Sequence, residues 1–103
     1  MSTTHFVYRL IPPRPSFAGD MTESEMAVMG AHAEYWTELF ERGVVVAFGV
    51  VLDPTASWGL SLVEAASEDE VRDIAAHDPA VTSGLCTFEI GVMPNPSVRP
   101  AAA

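Results

Sequence analysis

Apolar positions along the chain alternate between a two-residue and a 3.6-residue period, and the switches fall at proline, glycine and capping residues. Residues 5–11, from His5 to Ile11, are β-branched and aromatic and are stopped by Pro12 and Pro13, which predicts a first strand. Thr22 and Glu25 form a capping-box pair, and apolar residues then recur at Met26, Met29, Ala33, Trp36 and Phe40 up to Arg42 and Gly43. That spacing predicts an amphipathic helix of about five turns, with Gly43 in the left-handed position past its end. Val44–Leu52 and Trp58–Ala65 read as two strands joined through Asp53 to Ser57, a hairpin. A second capping box, Ser67 with Glu70, opens a short helix whose inner side is Val71, Ile74 and Ala75. Asp78-Pro79 ends or restarts it, and Leu85–Val92 supplies a fourth strand before Pro94.

The order βαββαβ predicts an α+β, ferredoxin-like fold: a four-stranded antiparallel sheet with two helices on one face. The other sheet face then needs a cover. Val44–Leu52 is apolar on both alternating sides, and Cys86, Phe88, Ile90 and Val92 add a further apolar row. A monomer would expose that surface, so a homodimer formed sheet against sheet is expected. Residues 1–94 make one domain, and 95–103 form a Pro/Ala-rich tail expected to be flexible unless a partner holds it.

Composition narrows the chemistry. The chain of 103 residues contains no lysine, which removes Schiff-base chemistry, a pyridoxal phosphate anchor and a Walker-type phosphate loop. Five arginines against 14 acids give a formal charge of −9, which argues against nucleic acid and against an anionic membrane. Cys86 is the single cysteine, so neither an intrachain disulfide nor a Cys-x-x-Cys zinc site can form. The start, Met1 to His5, lacks the pattern of a signal peptide, and Val44–Leu52 is too short to span a membrane, so a cytoplasmic address is expected.

His32 is the most suggestive residue. Its helical neighbours at three and four positions are Val28, Met29, Tyr35 and Trp36, so the imidazole sits beside the buried stripe, as a base or as a histidine at the core's edge. Asp78, at the mouth of the second crossover, could orient that imidazole; the competing reading is an N-cap with Pro79 at the first helical position. Arg9 in the first strand and Arg14 in the proline loop are candidates to hold a substrate anion, or else ordinary ion pairs. His5 and His77 share no ligand spacing with His32, so no metal site is expected. Gly59-Leu60-Ser61 starts like a nucleophile elbow, but Val63 stands where the motif needs glycine, and the stretch reads as strand interior. No Gly-x-Gly-x-x-Gly stretch exists, and no cofactor is expected.

Met21-Thr22-Glu23, His32 with Tyr35-Trp36, Gly43-Val44-Val45, Phe48-Gly49-Val50-Val51, Trp58-Gly59, Glu64-Ala65 and Asp78-Pro79-Ala80 with Gly84 resemble the YciI-like, or YCII-related, family. The resemblance runs over nearly the whole domain and implies the dimeric α/β barrel. It also implies a His/Asp active site, carried here by His32 and Asp78. Reactions of this family and fold include dehydrochlorination, isomerisation and cofactor-free oxygenation. One departure is Gly49-Val50, where the family usually shows Gly-Pro, so the pocket wall at Gly49 is expected to differ.

Together these readings predict a small cofactor-free enzyme in which His32 and Asp78 transfer a proton on a small ring-containing, possibly anionic, metabolite by elimination or isomerisation. Tyr8, Tyr35, Trp36 and Gly49 would wall the pocket, with Arg9 or Arg14 on an anionic group. The alternatives are a non-catalytic small-molecule-binding module on the same dimer and a cofactor-independent monooxygenase.

Overall fold

The computed structural model describes residues 4–100. Its elements are β1 (Thr4–Ile11), α1 (Phe17–Asp20), α2 (Glu23–Glu41), β2 (Val45–Val51), β3 (Trp58–Ala65), α3 (Glu68–Ala76), α4 (Pro79–Thr82) and β4 (Thr87–Met93). The strands form one sheet in the order β2-β3-β1-β4, with every neighbouring pair antiparallel. This is the ferredoxin-like α+β fold, in which each crossover helix returns the chain to the same sheet face. No helix is long and apolar enough to cross a membrane among the described residues.

Local grammar sets the helix ends. The Thr22 hydroxyl accepts the Glu25 N–H at 3.2 Å while the Glu25 carboxylate accepts the Thr22 N–H at 2.9 Å, a complete capping box at the start of α2. Gly43, at φ 81°, takes the left-handed turn after that helix. At α3 the Ser67 hydroxyl accepts the Glu70 N–H, but the Glu70 carboxylate reaches back to the Ala66 N–H instead of its own cap residue.

Phe6, Tyr8 and Leu10 of β1 and Val63 and Ala65 of β3 face Trp36 and Leu39 of α2 and Val71 and Ala75 of α3 in one buried cluster. The buried stripe of α2 is rotated from the predicted one. It runs through Met29, His32, Trp36 and Leu39, and leaves Met26 and Phe40 about half exposed at 51% and 48%. His32 therefore lies on the stripe itself.

Three further details differ from the sequence expectation. The proline loop contains the short helix α1, four residues long, which is too brief to leave a periodic signal. Strand β2 is an edge strand with a bulge between Val45 and Ala47, which breaks the even alternation read there. In β4, Phe88 and Ile90 pack against the helical side of the sheet and do not extend the free face. That free face carries Val7, Leu60 and Leu62 around Arg9, whose guanidinium is 3.8 Å from Glu89. Residues 94–100 follow β4 without regular structure, and 101–103, the end of the expected tail, lie outside the described residues.

Candidate active site

Pro79 at the first position of α4 fixes the chain so that Asp78 becomes the N-cap, its side chain accepting the Ala80 N–H at 2.9 Å. The same carboxylate receives three more donors. His32 Nδ1 lies 2.8 Å from Oδ1 and 3.0 Å from Oδ2, Trp36 Nε1–H donates to Oδ2 at 2.8 Å, and the Tyr8 hydroxyl donates to Oδ2 at 3.0 Å. Asp78 has no exposed surface. Burial alone raises a carboxyl pKa, but here the hydrogen bonds from His32 and Trp36, the His32 charge and the Ala80 N–H outweigh it and hold Asp78 below its ordinary value.

An ionised Asp78 can only accept, so Nδ1 of His32 carries its proton toward the carboxylate. The imidazole is thereby fixed in one tautomer and one ring orientation, with Nε2 on the opposite edge. Tyr8 stays protonated, since burial and then the Asp78 charge push its phenol well above the usual range. Its ring packs against Trp36 at 4.7 Å and Phe88 at 5.6 Å between centroids, which fixes the hydroxyl that meets Asp78.

A cavity of about 250 Å³ opens beside the His32 ring. Its origin lies in β3. Across the sheet, Ser61 stands between Phe48 and Tyr8, and Gly59 between Val50 and Leu10, so two small residues face the helices where neighbouring strands place large ones. Met29, His32 and Ala33 of α2 form the roof, and Phe17, Ala18 and Met21 close one side. That side is held by Arg14, which donates to both Glu25 carboxylate oxygens at 2.8 Å and to Asp20 at 2.8 Å, with its guanidinium 5.2 Å from the Phe17 ring centroid. The Arg14 hydrogen bonds, with help from the Thr22 N–H, depress the Glu25 carboxyl to about 2. Val50, 69% exposed, stands at the mouth.

The residues singled out from sequence separate into two groups. His32, Asp78, Tyr8 and Gly49 come together, with His32, Tyr8 and Gly49 on the cavity wall and Asp78 directly behind His32. Trp36 and Tyr35 do not line the cavity: Trp36 is fully buried behind Asp78, and Tyr35 spends its hydroxyl on the Ile74 carbonyl at 2.7 Å. Neither is a pocket wall, contrary to the sequence expectation. Arg9 and Arg14 are also absent from this lining and belong to a separate groove between the end of β1, the proline loop and the start of β3, Arg9 lying 4.7 Å from the Trp58 ring centroid.

The cavity residues that the sequence reading did not place at the site include Ser61 and Cys86. The register of β1 with β3 was the missing signal, because pairing Ser61 with Tyr8 puts both on the helical side. Burial pushes the Cys86 thiol up to about 11, so it is a neutral wall group at pH 7 and no nucleophile. His5 and His77 lie elsewhere, beside Glu64 and at the end of α3, and no group of three or more His, Cys, Asp or Glu gathers in a metal-holding arrangement among the described residues.

The profile of the YCII-related domain matches residues 6–94. No curated protein sequence matches the chain. Similar solved structures include 5-chloro-2-hydroxyhydroquinone dehydrochlorinase (TftG) from Burkholderia phenoliruptrix AC1100, in complex with 2,5-dihydroxybenzoquinone. It aligns with TM-score 0.65 and 19% identity over 84% of this chain and 90% of its own. SnoaB, a cofactor-independent oxygenase from Streptomyces nogalater, aligns with TM-score 0.49 and 18% identity over 98% of this chain and 100% of its own. At 19% identity the likeness to the dehydrochlorinase speaks for the fold alone.

Proposed function

Because the chain belongs to the YCII-related domain family, we propose that its cavity is an active site in which His32, positioned by Asp78, moves a proton on a small ring-containing metabolite. The observation that carries this reading is the use of Nδ1 by a buried carboxylate, which leaves Nε2 as the basic nitrogen at the edge of an otherwise apolar cavity. Nε2 takes a proton from an O–H or an activated C–H, and the resulting imidazolium is stabilised by Asp78 behind it. The electron pair left on the substrate enters the ring. From there it either expels a leaving group from the adjacent carbon, an elimination, or is reprotonated by the imidazolium at another carbon, an isomerisation.

Apolar walls such as Leu10, Phe17 and Phe48 suit a flat ring, and an apolar cavity of about 150 Å³ already holds benzene. The dehydrochlorinase that shares the fold is named for a ring substrate; for this chain the ring class rests on the cavity's own walls. The enzyme works as a homodimer through the free sheet face, where Val7, Leu60 and Leu62 would be covered by a second copy. Light scattering showing a folded monomer at micromolar concentration would contradict that assembly.

The test of the chemistry is turnover of hydroxylated and halogenated ring compounds followed by NMR, with His32→Asn as the comparison. Loss of positioned acid–base catalysis lowers the rate by about 100-fold or more. Equal turnover by a folded His32→Asn protein would exclude the mechanism.

A further inference from the structure

The lining contains no arginine and no acid, and its titratable members are Tyr8, His32 and Cys86. Tyr8 has committed its O–H to Asp78, and Cys86 is a neutral thiol. The ionised group closest behind the wall is the Asp78 carboxylate, which repels an anion that lacks a compensating cation. Both candidate anion clamps, Arg9 and Arg14, lie outside the cavity, and Arg14 already spends four of its five N–H donors on Asp20 and Glu25. An anionic ligand would find no cation but a His32 imidazolium, which Asp78 already pairs. An uncharged one loses little.

Besides the more exposed Ser57 at the entry to β3, one buried polar group is left over. Ser61 is 4% exposed, and its hydroxyl has no hydrogen-bond partner among the described residues. Unlike the two His5 ring nitrogens, the Ser61 hydroxyl is not fully enclosed, and Ser61 lines the cavity, so its open side faces the cavity. A hydroxyl that is both a donor and an acceptor, set in an apolar floor with nothing to bind, is a site for a ligand oxygen. Proton transfer at His32 gives the ligand its first polar point, and Ser61 gives it a second.

Building on the proposed proton-transfer site, we infer that the cavity selects an uncharged ring carrying a second oxygen substituent, and that the Ser61 hydroxyl makes this selection by hydrogen bonding that oxygen. Serine here acts as a specificity determinant and takes no proton in the reaction. Alanine would preserve the strand and nearly the same volume while removing the only feature that tells a dihydroxylated ring from a monohydroxylated one at this position.

The experiment is calorimetric titration of the full chain and of Ser61→Ala at neutral pH with phenol, catechol, resorcinol, hydroquinone and benzoate. In the unsubstituted protein, the isomer whose second hydroxyl reaches Ser61 binds about 5-fold tighter than phenol, the worth of one neutral hydrogen bond. In Ser61→Ala that advantage disappears while phenol affinity is unchanged, which also shows that the variant is folded and its cavity intact. Retention of the advantage in Ser61→Ala overturns the inference, as does tighter binding of benzoate than of every dihydroxybenzene. Failure of all five probes to bind the unsubstituted protein overturns the cavity reading itself along with the inference. If His32→Asn loses turnover but the Ser61→Ala selectivity is unaltered, the inference alone fails.

Discussion

Asp78→Asn is the change that separates an oriented imidazole from a merely packed one. The carboxylate collects N–H and O–H donors from four residues, His32, Trp36, Tyr8 and Ala80, onto two oxygens. An amide keeps one of those oxygens and replaces the other with a donor. If the amide nitrogen faces Trp36 and Tyr8, the phenol can rotate to accept but the indole N–H cannot. If it faces His32 and Ala80, the imidazole can change tautomer but the backbone N–H cannot. Either way one buried N–H loses its acceptor, at about 1–3 kcal/mol, and the surviving bonds lose the strengthening of a charge. Relief from burying a carboxylate offsets part of this, leaving a net loss of about 2–4 kcal/mol. For a domain of this size that lowers Tm by roughly 10–25 °C.

The pH dependence has a definite sign. Asp78 is held below its ordinary pKa, so its contribution is complete above the unfolded-state value of about 4 and is lost as pH falls through the lower folded-state value. Urea melts at neutral pH and on acidification should therefore show a gap between the two proteins that narrows in acid. A variant within about 0.5 kcal/mol of the parent at neutral pH, with the same acid slope, would refute the donor accounting.

Two further outcomes follow from the cavity walls. The Cys86 thiol, pushed up to about 11 and 5% exposed, should resist iodoacetamide at neutral pH in the folded protein and react readily in urea; rapid native labelling would contradict its placement. Glu25→Gln removes the carboxylate that pins Arg14, and with it the Phe17 side of the cavity, so ligand dissociation should quicken while turnover of bound substrate is unchanged; unaltered dissociation in stopped-flow measurements would count against that side as a closure.

Much of this fold can be read in the sequence because its punctuation is local. Thr22 and Glu25, Gly43, Ser67, and Asp78 with Pro79 mark ends that depend on neighbours a few residues away. What escaped was set by pairing across the sheet. The phase of α2 follows from Trp36 and Leu39 meeting β1 and β3, and the cavity exists because Gly59 and Ser61 fall on the helical side in this register. Trp36 illustrates the limit: its large apolar ring suggested a wall, while the feature that decided its place was one N–H with a buried acceptor. Asp78 illustrates another. In the sequence, cap and imidazole partner are rival roles, yet Oδ1 accepts from both Ala80 and His32.

The central claim is that Asp78 holds His32 with its proton on Nδ1, leaving Nε2 as the base. Nitrogen-15 NMR of histidine-labelled protein reads this directly, since the tautomer sets which ring nitrogen resonates as N–H in the neutral imidazole. The account predicts that His32, one of three histidines in the chain, carries its proton on Nδ1 and that Asp78→Asn disturbs this state. A neutral His32 protonated at Nε2 in the unsubstituted protein would contradict it.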